Sequence, residues 1–175
     1  MASASPIPGK EEFFFFEGQV AITTPTEFKL HMYWNDISQG TGKTTVPVIS
    51  PKSEYPNFGE TRVMDVPLYD TASKDKIMGR AQGVCVQADL RQKAFHLSFN
   101  IEFETPDLKG SKLQVMGIWT PEISTKVEWS IVGGTGNYTL AKGIVYGRML
   151  SSGDDSVTWI ELDILGYYTP MQKPN

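Results

Sequence analysis

The sequence predicts an all-β protein, a single antiparallel barrel of about eight strands. Three observations lead there. Ala94 to Glu104 alternates without a break: Phe95, Leu97, Phe99, Ile101 and Phe103 share one parity, and His96, Ser98, Asn100, Glu102 and Glu104 the other. That is the signature of a strand with one face on a core and one in water. Turn residues recur at short intervals, as Pro106-Asp107, Lys109-Gly110, Gly133-Gly-Thr-Gly136 and Ser152-Gly-Asp-Asp155. No segment of ten or more residues carries the 3.6 period of an amphipathic helix, so helical crossovers and a parallel sheet are not expected.

Each element follows in chain order. Residues 1–23 read as a disordered or extended N-terminal segment, the first twelve being small, Pro-bearing and charged. Phe28 to Asp36 is a strand with Phe28, Leu30, Met32 and Trp34 on one face, and Asp36 shares their parity. Thr44 to Ile49 is a short strand, and Pro47 confines it to an edge or bend. Ser50 to Gly59 is a loop. Strands are then expected over Arg62–Tyr69, Met78–Leu90, Ala94–Glu104, Leu113–Trp119, Val127–Val132, Tyr138–Leu150 and Val157–Leu165. The barrel domain is therefore placed at residues 24–168, with 169–175 as a Pro-bearing tail or linker.

Composition removes several function classes. The chain of 175 residues carries a net charge of -4 and has no basic block, a poor basis for binding a phosphate backbone, so no nucleic-acid role is expected. No apolar run approaches a membrane span, so no membrane role is expected either. Cys85 is the only cysteine, which excludes an internal disulfide and a thiolate-rich zinc site. His31 and His96 stand far apart on strand faces and read as surface histidines. Neither a metal nor a cofactor is expected. Met1 begins no basic and apolar leader, which points to a cytoplasmic protein if the native chain starts there.

Few motifs carry chemistry. Gly133-Gly-Thr-Gly136 has strand on both sides and lacks a following Lys-Ser/Thr pair, so it reads as a tight turn needing positive φ rather than a phosphate loop. Asp36 is the more informative group: if its face points inward, it sits at the mouth of an apolar interior. The competing reading is a turn-forming Asp ahead of Gly40.

Several motifs taken together resemble the plant dirigent family. They are Met78-Gly-Arg-Ala-Gln-Gly83, Leu113-Gln-Val-Met-Gly117, and Ile131-Val-Gly-Gly-Thr-Gly-Asn-Tyr-Thr-Leu-Ala-Lys-Gly143, preceded by Tyr33-Trp-Asn-Asp-Ile37. The resemblance runs in order from about Phe28 to Leu165. It implies an eight-stranded antiparallel barrel of the dirigent and allene oxide cyclase type, often trimeric. Members of the family steer the coupling of phenoxy radicals or catalyse a quinone-methide-type ring closure, with pocket carboxylates and an Arg. Here Asp36 stands at the family's first-strand Asp, but Asn137 replaces a later Asp, Lys142 replaces an Arg, and Asn35 replaces a His.

The absence of a leader and the Pro-bearing tail make the chain similar to the N-terminal half of monocot dirigent–jacalin chimeras, which are stress- and defence-associated. The expected partner is then a C-terminal jacalin lectin domain lying outside this sequence. Two functions follow. In the first, Trp34, Asp36, Asn137, Tyr138 and Lys142 converge at one mouth as a non-catalytic carbohydrate-binding module, since aromatic rings cover sugar C–H faces and amides and carboxylates bond the hydroxyls. In the second, the domain is a dirigent-type guide or isomerase for phenolic substrates, with Asp36 and Lys142 in the site. Outward apolar faces, with Tyr33 opposite Asp36, predict a homo-oligomer, trimer over dimer.

Overall fold

The computed structural model describes residues 24–51, 55, 57–120, 126–150 and 156–170. The N-terminal segment 1–23 and the last five residues of the expected tail lie outside the described residues. Among the described residues there are nine strands: β1 (Thr26–Ile37), β2 (Thr45–Ile49), β3 (Thr61–Tyr69), β4 (Ile77–Gln87), β5 (Phe95–Phe103), β6 (Lys112–Trp119), β7 (Lys126–Thr135), β8 (Lys142–Leu150) and β9 (Val157–Tyr168). They form one antiparallel sheet in the order β1-β9-β8-β7-β6-β5-β4-β3-β2. β1 also pairs with β3, Tyr33 opposite Tyr69 and Trp34 opposite Leu68, and this closes the ring.

The closed barrel therefore has eight strands, β1 and β3 to β9. β2 is the ninth. It lies along the first half of β3, Thr45 opposite Met64 and Ile49 opposite Thr61, with a bulge after Pro47. Pro47 has no N–H to give to a ladder, which suits a strand paired on one side only.

Strand β5 shows why the ring closes around its own side chains. Its odd residues are all buried and its even ones half-exposed. Phe99 and Trp129 meet edge-on at 5.7 Å, Trp34 meets Phe99 edge-on at 5.4 Å, and Trp119 lies 6.0 Å from Trp129. These rings fill the middle of the barrel, and the Trp129 indole N–H donates to the Ile118 carbonyl at 2.9 Å. Gly117 makes room for that indole: a Cβ there would sit 2.5 Å from Trp129 Cδ1.

The turn between β7 and β8 differs from the expectation. β7 continues through Gly133 and Gly134 to Thr135, then Gly136–Tyr138 makes one 3-10 turn, and β8 begins at Lys142 instead of Tyr138. Within the glycine-rich motif positive φ is confined to Gly136 (65°), and Leu140 (58°) takes the second left-handed position. Gly134 is there for close approach: a Cβ on it would lie 2.1 Å from the Tyr138 carbonyl oxygen. Among the described residues this 3-10 turn is the only helical element.

Candidate functional site

The two ends of the barrel carry different chemistry. At the first end, β1 and β4 finish while β3 and β5 begin. The inward parity of β1 brings Asp36 to this mouth. Its Oδ1 accepts from the Thr44 hydroxyl at 2.7 Å, and the same Thr44 Oγ1 accepts from the Ile37 N–H at 2.8 Å. Asp36 is thereby held in a fixed orientation by the strand's own continuation.

Arg62 enters the same mouth from β3. It shares parity with Met64, Val66 and Leu68, all buried, so its guanidinium is carried inward. The Arg62 Nε donates to Glu60 Oε1 at 2.5 Å, and its Cζ lies over the Phe95 ring, 5.5 Å from the centroid. Cys85 stands opposite Arg62 in the β3–β4 ladder. Burial pushes the Cys85 thiol up to about 11; Arg62 draws it down, and the Asp36 and Glu60 carboxylates push it further up. The field of all three charged groups thus meets at one buried sulfur. The mouth holds two carboxylates and a guanidinium above an aromatic floor of Phe95, Trp34 and Phe99. Such a set can accept a proton from a hydroxyl, stabilise an oxyanion and stack an aromatic ring.

The opposite end is built where β1 begins and β9 finishes. A groove of about 440 Å³ is lined by Glu27, Phe28, Leu108, Asn137, Tyr138 and Tyr168, among others. Tyr138 is a plug: its ring packs on Phe28 at 4.9 Å, Phe103 at 5.0 Å and Tyr168 at 5.8 Å. Burial, then the neighbouring Tyr168, raises its phenol above the ordinary value. Asn137 Nδ2 donates to the Asp107 carbonyl at 3.0 Å, and its backbone N–H donates to Ser111 Oγ at 3.0 Å. Asn137 therefore ties the β7–β8 turn to the β5–β6 loop.

The five residues expected to converge do not. Phe28 touches Tyr138, whereas Asp36 lies eight residues further along β1, roughly 26 Å at 3.3 Å per residue. Asp36 is at one mouth, and Asn137 and Tyr138 are at the other. Lys142 is exposed at the start of β8 beside Tyr167. Trp34 is 5% exposed, in the aromatic core between them, and offers no face to a sugar at either mouth. The strand period gave Asp36 its direction; it carried no information about which end the turn after β7 would occupy.

Sequence reasoning missed Glu60, Arg62 and Cys85 as neighbours of Asp36. One signal was available: an Arg in phase with Met64, Val66 and Leu68 at a strand start must project into the barrel end. The motif residues Arg80 and Gln82 instead face outward. Both bond Asp65, Arg80 Nε at 2.5 Å and Gln82 Nε2 at 3.1 Å, and the Arg80 hydrogen bond first holds the Asp65 carboxyl below its ordinary value. His31 is likewise outside, bonded to Asp163 at 2.8 Å. Among the described residues no group of three or more His, Cys, Asp or Glu side chains is placed to hold a metal ion.

The fold and the site define the class: a closed eight-stranded antiparallel barrel with carboxylates and an Arg at one mouth. Residues 26–165 match the family model of dirigent-like proteins, and the chain belongs to that family. Dirigent protein 7 of Arabidopsis thaliana is 30% identical over 140 residues, covering 77% of this chain and 73% of the relative. Pterocarpan synthase 1 of Glycine max is 28% identical over 126 residues, covering 70% and 68%. The solved structure of the pterocarpan synthase dirigent protein GePTS1 superposes with a TM-score of 0.76 at 24% identity, over 83% of this chain and 92% of that one.

Proposed function

We propose that this domain binds a phenolic small molecule at the Asp36 mouth and directs its reaction, either by orienting coupling partners or by promoting an internal ring closure. The observation that carries this reading is the Arg62–Glu60 pair over Phe95 at the barrel end to which Asp36 is also held, the three charged groups acting together on Cys85. In a ring closure onto a quinone methide, a hydroxyl oxygen forms a bond to the methide carbon. The displaced electron pair restores the aromatic ring and leaves a phenolate. A carboxylate takes the hydroxyl proton, the guanidinium stabilises the phenolate until it is protonated, and no oxidant is consumed. The similarity to pterocarpan synthase 1 supports this chemistry over simple binding. The test is to oxidise a monolignol with a one-electron oxidant in the presence of the protein and measure the enantiomeric excess of the dimer, alongside closure of an o-hydroxybenzyl quinone-methide precursor. Wild type is expected to give stereochemical bias in one assay and Arg62→Met to lose it; racemic, unaccelerated product in both sinks the proposal.

A second reading, carbohydrate binding, is supported by one observation: Asn137 and Tyr138 share the opposite groove with Glu27 and Tyr168. An amide, a carboxylate and tyrosine rings in one groove suit a sugar. Titration with mono- and disaccharides tests it, and loss of the heat signal in Tyr168→Ala places the ligand there.

We also propose that the barrel self-associates as a trimer through the outer face of β2 to β6. Val46, Val63, Val84, Met116 and Ile118, each more than a third exposed, form an apolar patch across those strands, with Val46 opposite Val63, Val63 opposite Val84, and Ser98 of β5 between Val84 and Met116. A sedimenting monomer at micromolar concentration overturns this. A jacalin lectin partner rests on sequence resemblance alone, and peptides crossing Asn175 in the native protein test it.

A further inference from the structure

A groove of about 600 Å³ runs along the outside of β1, β8 and β9 and adjoins the Tyr138 mouth at Glu27 and Phe28. Its floor is set by two cross-strand rows: Ile144 opposite Leu165 opposite Lys29, and Lys142 opposite Tyr167 opposite Glu27. Tyr146 closes its other end. Leu165 is 38% exposed, Tyr146 37% and Tyr167 53%, so this is apolar and aromatic surface left open to water. β9 and β8 are paired on both sides along the floor at Leu165 and Ile144, so the floor takes side chains and not an added strand.

The sequence contains one segment with matching chemistry. Phe13, Phe14, Phe15 and Phe16 stand in a row, with Glu11 and Glu12 before them and Glu17 after. We propose that this phenylalanine run docks in the β1–β8–β9 groove of its own barrel, its flanking glutamates facing Lys29 and Lys142.

Chain length permits it. Seven residues separate Phe16 from Thr24, where the described chain begins, and they span up to roughly 25 Å when extended. β8 lies only two strand spacings from β1, roughly 10 Å. The segment feeds directly into the strand whose Glu27, Phe28 and Lys29 form the groove's edge, so docking there closes a short loop at small entropic cost. The apolar patch on β2 to β6 reaches β1 through β3, but its Val63 lies toward the Asp36 end of β1 and not the Thr26 end where the segment enters, so it lacks these advantages. Charge also favours the site: three glutamates bracket the phenylalanines, and Lys29 and Lys142 outnumber Glu27 around the floor.

The full chain carrying p-benzoylphenylalanine in place of Phe15 tests this directly. After irradiation and digestion, cross-links are expected within one chain to peptides containing Ile144–Tyr146 or Leu165–Tyr167. Leu165→Asp puts a charge on the groove floor at a surface position. It should lower that cross-link at least about ten-fold, the loss of a single buried phenylalanine's transfer energy being sufficient. A second variant pair leaves the apolar floor untouched. Lys29→Glu with Lys142→Glu should reduce the yield several-fold, and adding Glu11→Lys and Glu12→Lys should restore it. Cross-links to another face, cross-links only between copies, no cross-link at all, or a yield indifferent to Leu165→Asp each overturn the proposal.

Discussion

Asn137→Asp is expected to destabilise the barrel at neutral pH and to do so less in acid. In the native turn the Asn137 amide donates to the Asp107 carbonyl at 3.0 Å. An ionised carboxylate has no proton to donate, and its oxygens would face the carbonyl oxygen instead. The hydrogen bond contributes about 1 kcal/mol, and repulsion at this exposed site adds less than that again, so a loss of about 1–2 kcal/mol is expected at pH 7. Facing a carbonyl also raises the folded-state pKa of the new carboxyl above its unfolded value of about 3.9. A raised folded pKa means that the variant is relatively most stable below the unfolded pKa and loses that stability as pH rises through the folded one. Urea denaturation followed by tryptophan fluorescence at pH 7 and pH 3.5 measures both quantities. Asn137→Ala, which lacks a titrating group, should lose about 1 kcal/mol at either pH. The reasoning is refuted if Asn137→Asp matches wild type at pH 7, or if its deficit is the same at both pH values.

Further outcomes follow from the same contacts. Cys85 should resist thiol reagents at pH 8 in the folded protein and react on unfolding, since burial pushes its thiol up to about 11; because that pKa is raised, stability should fall as pH climbs past the ordinary thiol range toward 11. Thr44→Val removes the hydroxyl that both orients Asp36 and receives the Ile37 N–H, and should cost about 1–3 kcal/mol in a denaturant titration. Gly134→Ala puts a methyl 2.1 Å from the Tyr138 carbonyl oxygen and 2.8 Å from Ala141 Cβ, and should cost about 1–3 kcal/mol or more as the turn shifts.

The barrel was legible because strand parity is a strictly local property. Phe95 to Phe103 and Phe28 to Trp34 show their buried faces in sequence, and Pro47 announced a strand that could pair on only one side. The expected strand at Tyr138 failed for a local reason as well. Tyr138, Thr139 and Leu140 carry strand-forming side chains, yet Tyr138 is turned into the core by the 3-10 turn that Gly136 starts. The site was less legible because it depends on which strand ends meet. Asp36 and Arg62 are 26 positions apart and reach the same barrel end only through the closing register of β1, β3 and β4. Asn137 kept the polarity expected of a site residue, but one of its amide N–H groups goes to the Asp107 carbonyl at the end opposite Asp36.

The separation of the two ends has a measurable consequence for how substitutions combine. Asp36 and Asn137 lie at opposite mouths, share no hydrogen-bond partner, and are divided by the ring stack of Trp34, Phe99 and Trp129. Substitutions more than about 7–10 Å apart without shared partners usually add to within about 0.3–0.5 kcal/mol. Asp36→Ala and Asn137→Ala should therefore be additive in stability. Glu60 and Arg62, which bond directly, should not be: once Arg62→Met has removed the partner, Glu60→Gln should cost far less than it does alone. The same four variants titrated with a phenolic ligand separate the ends by function, since only the Asp36 mouth carries the Arg62 guanidinium. A coupling energy above about 1 kcal/mol between Asp36 and Asn137 would mean that the two residues share one pocket after all, and would overturn the two-mouth geometry on which both binding proposals stand.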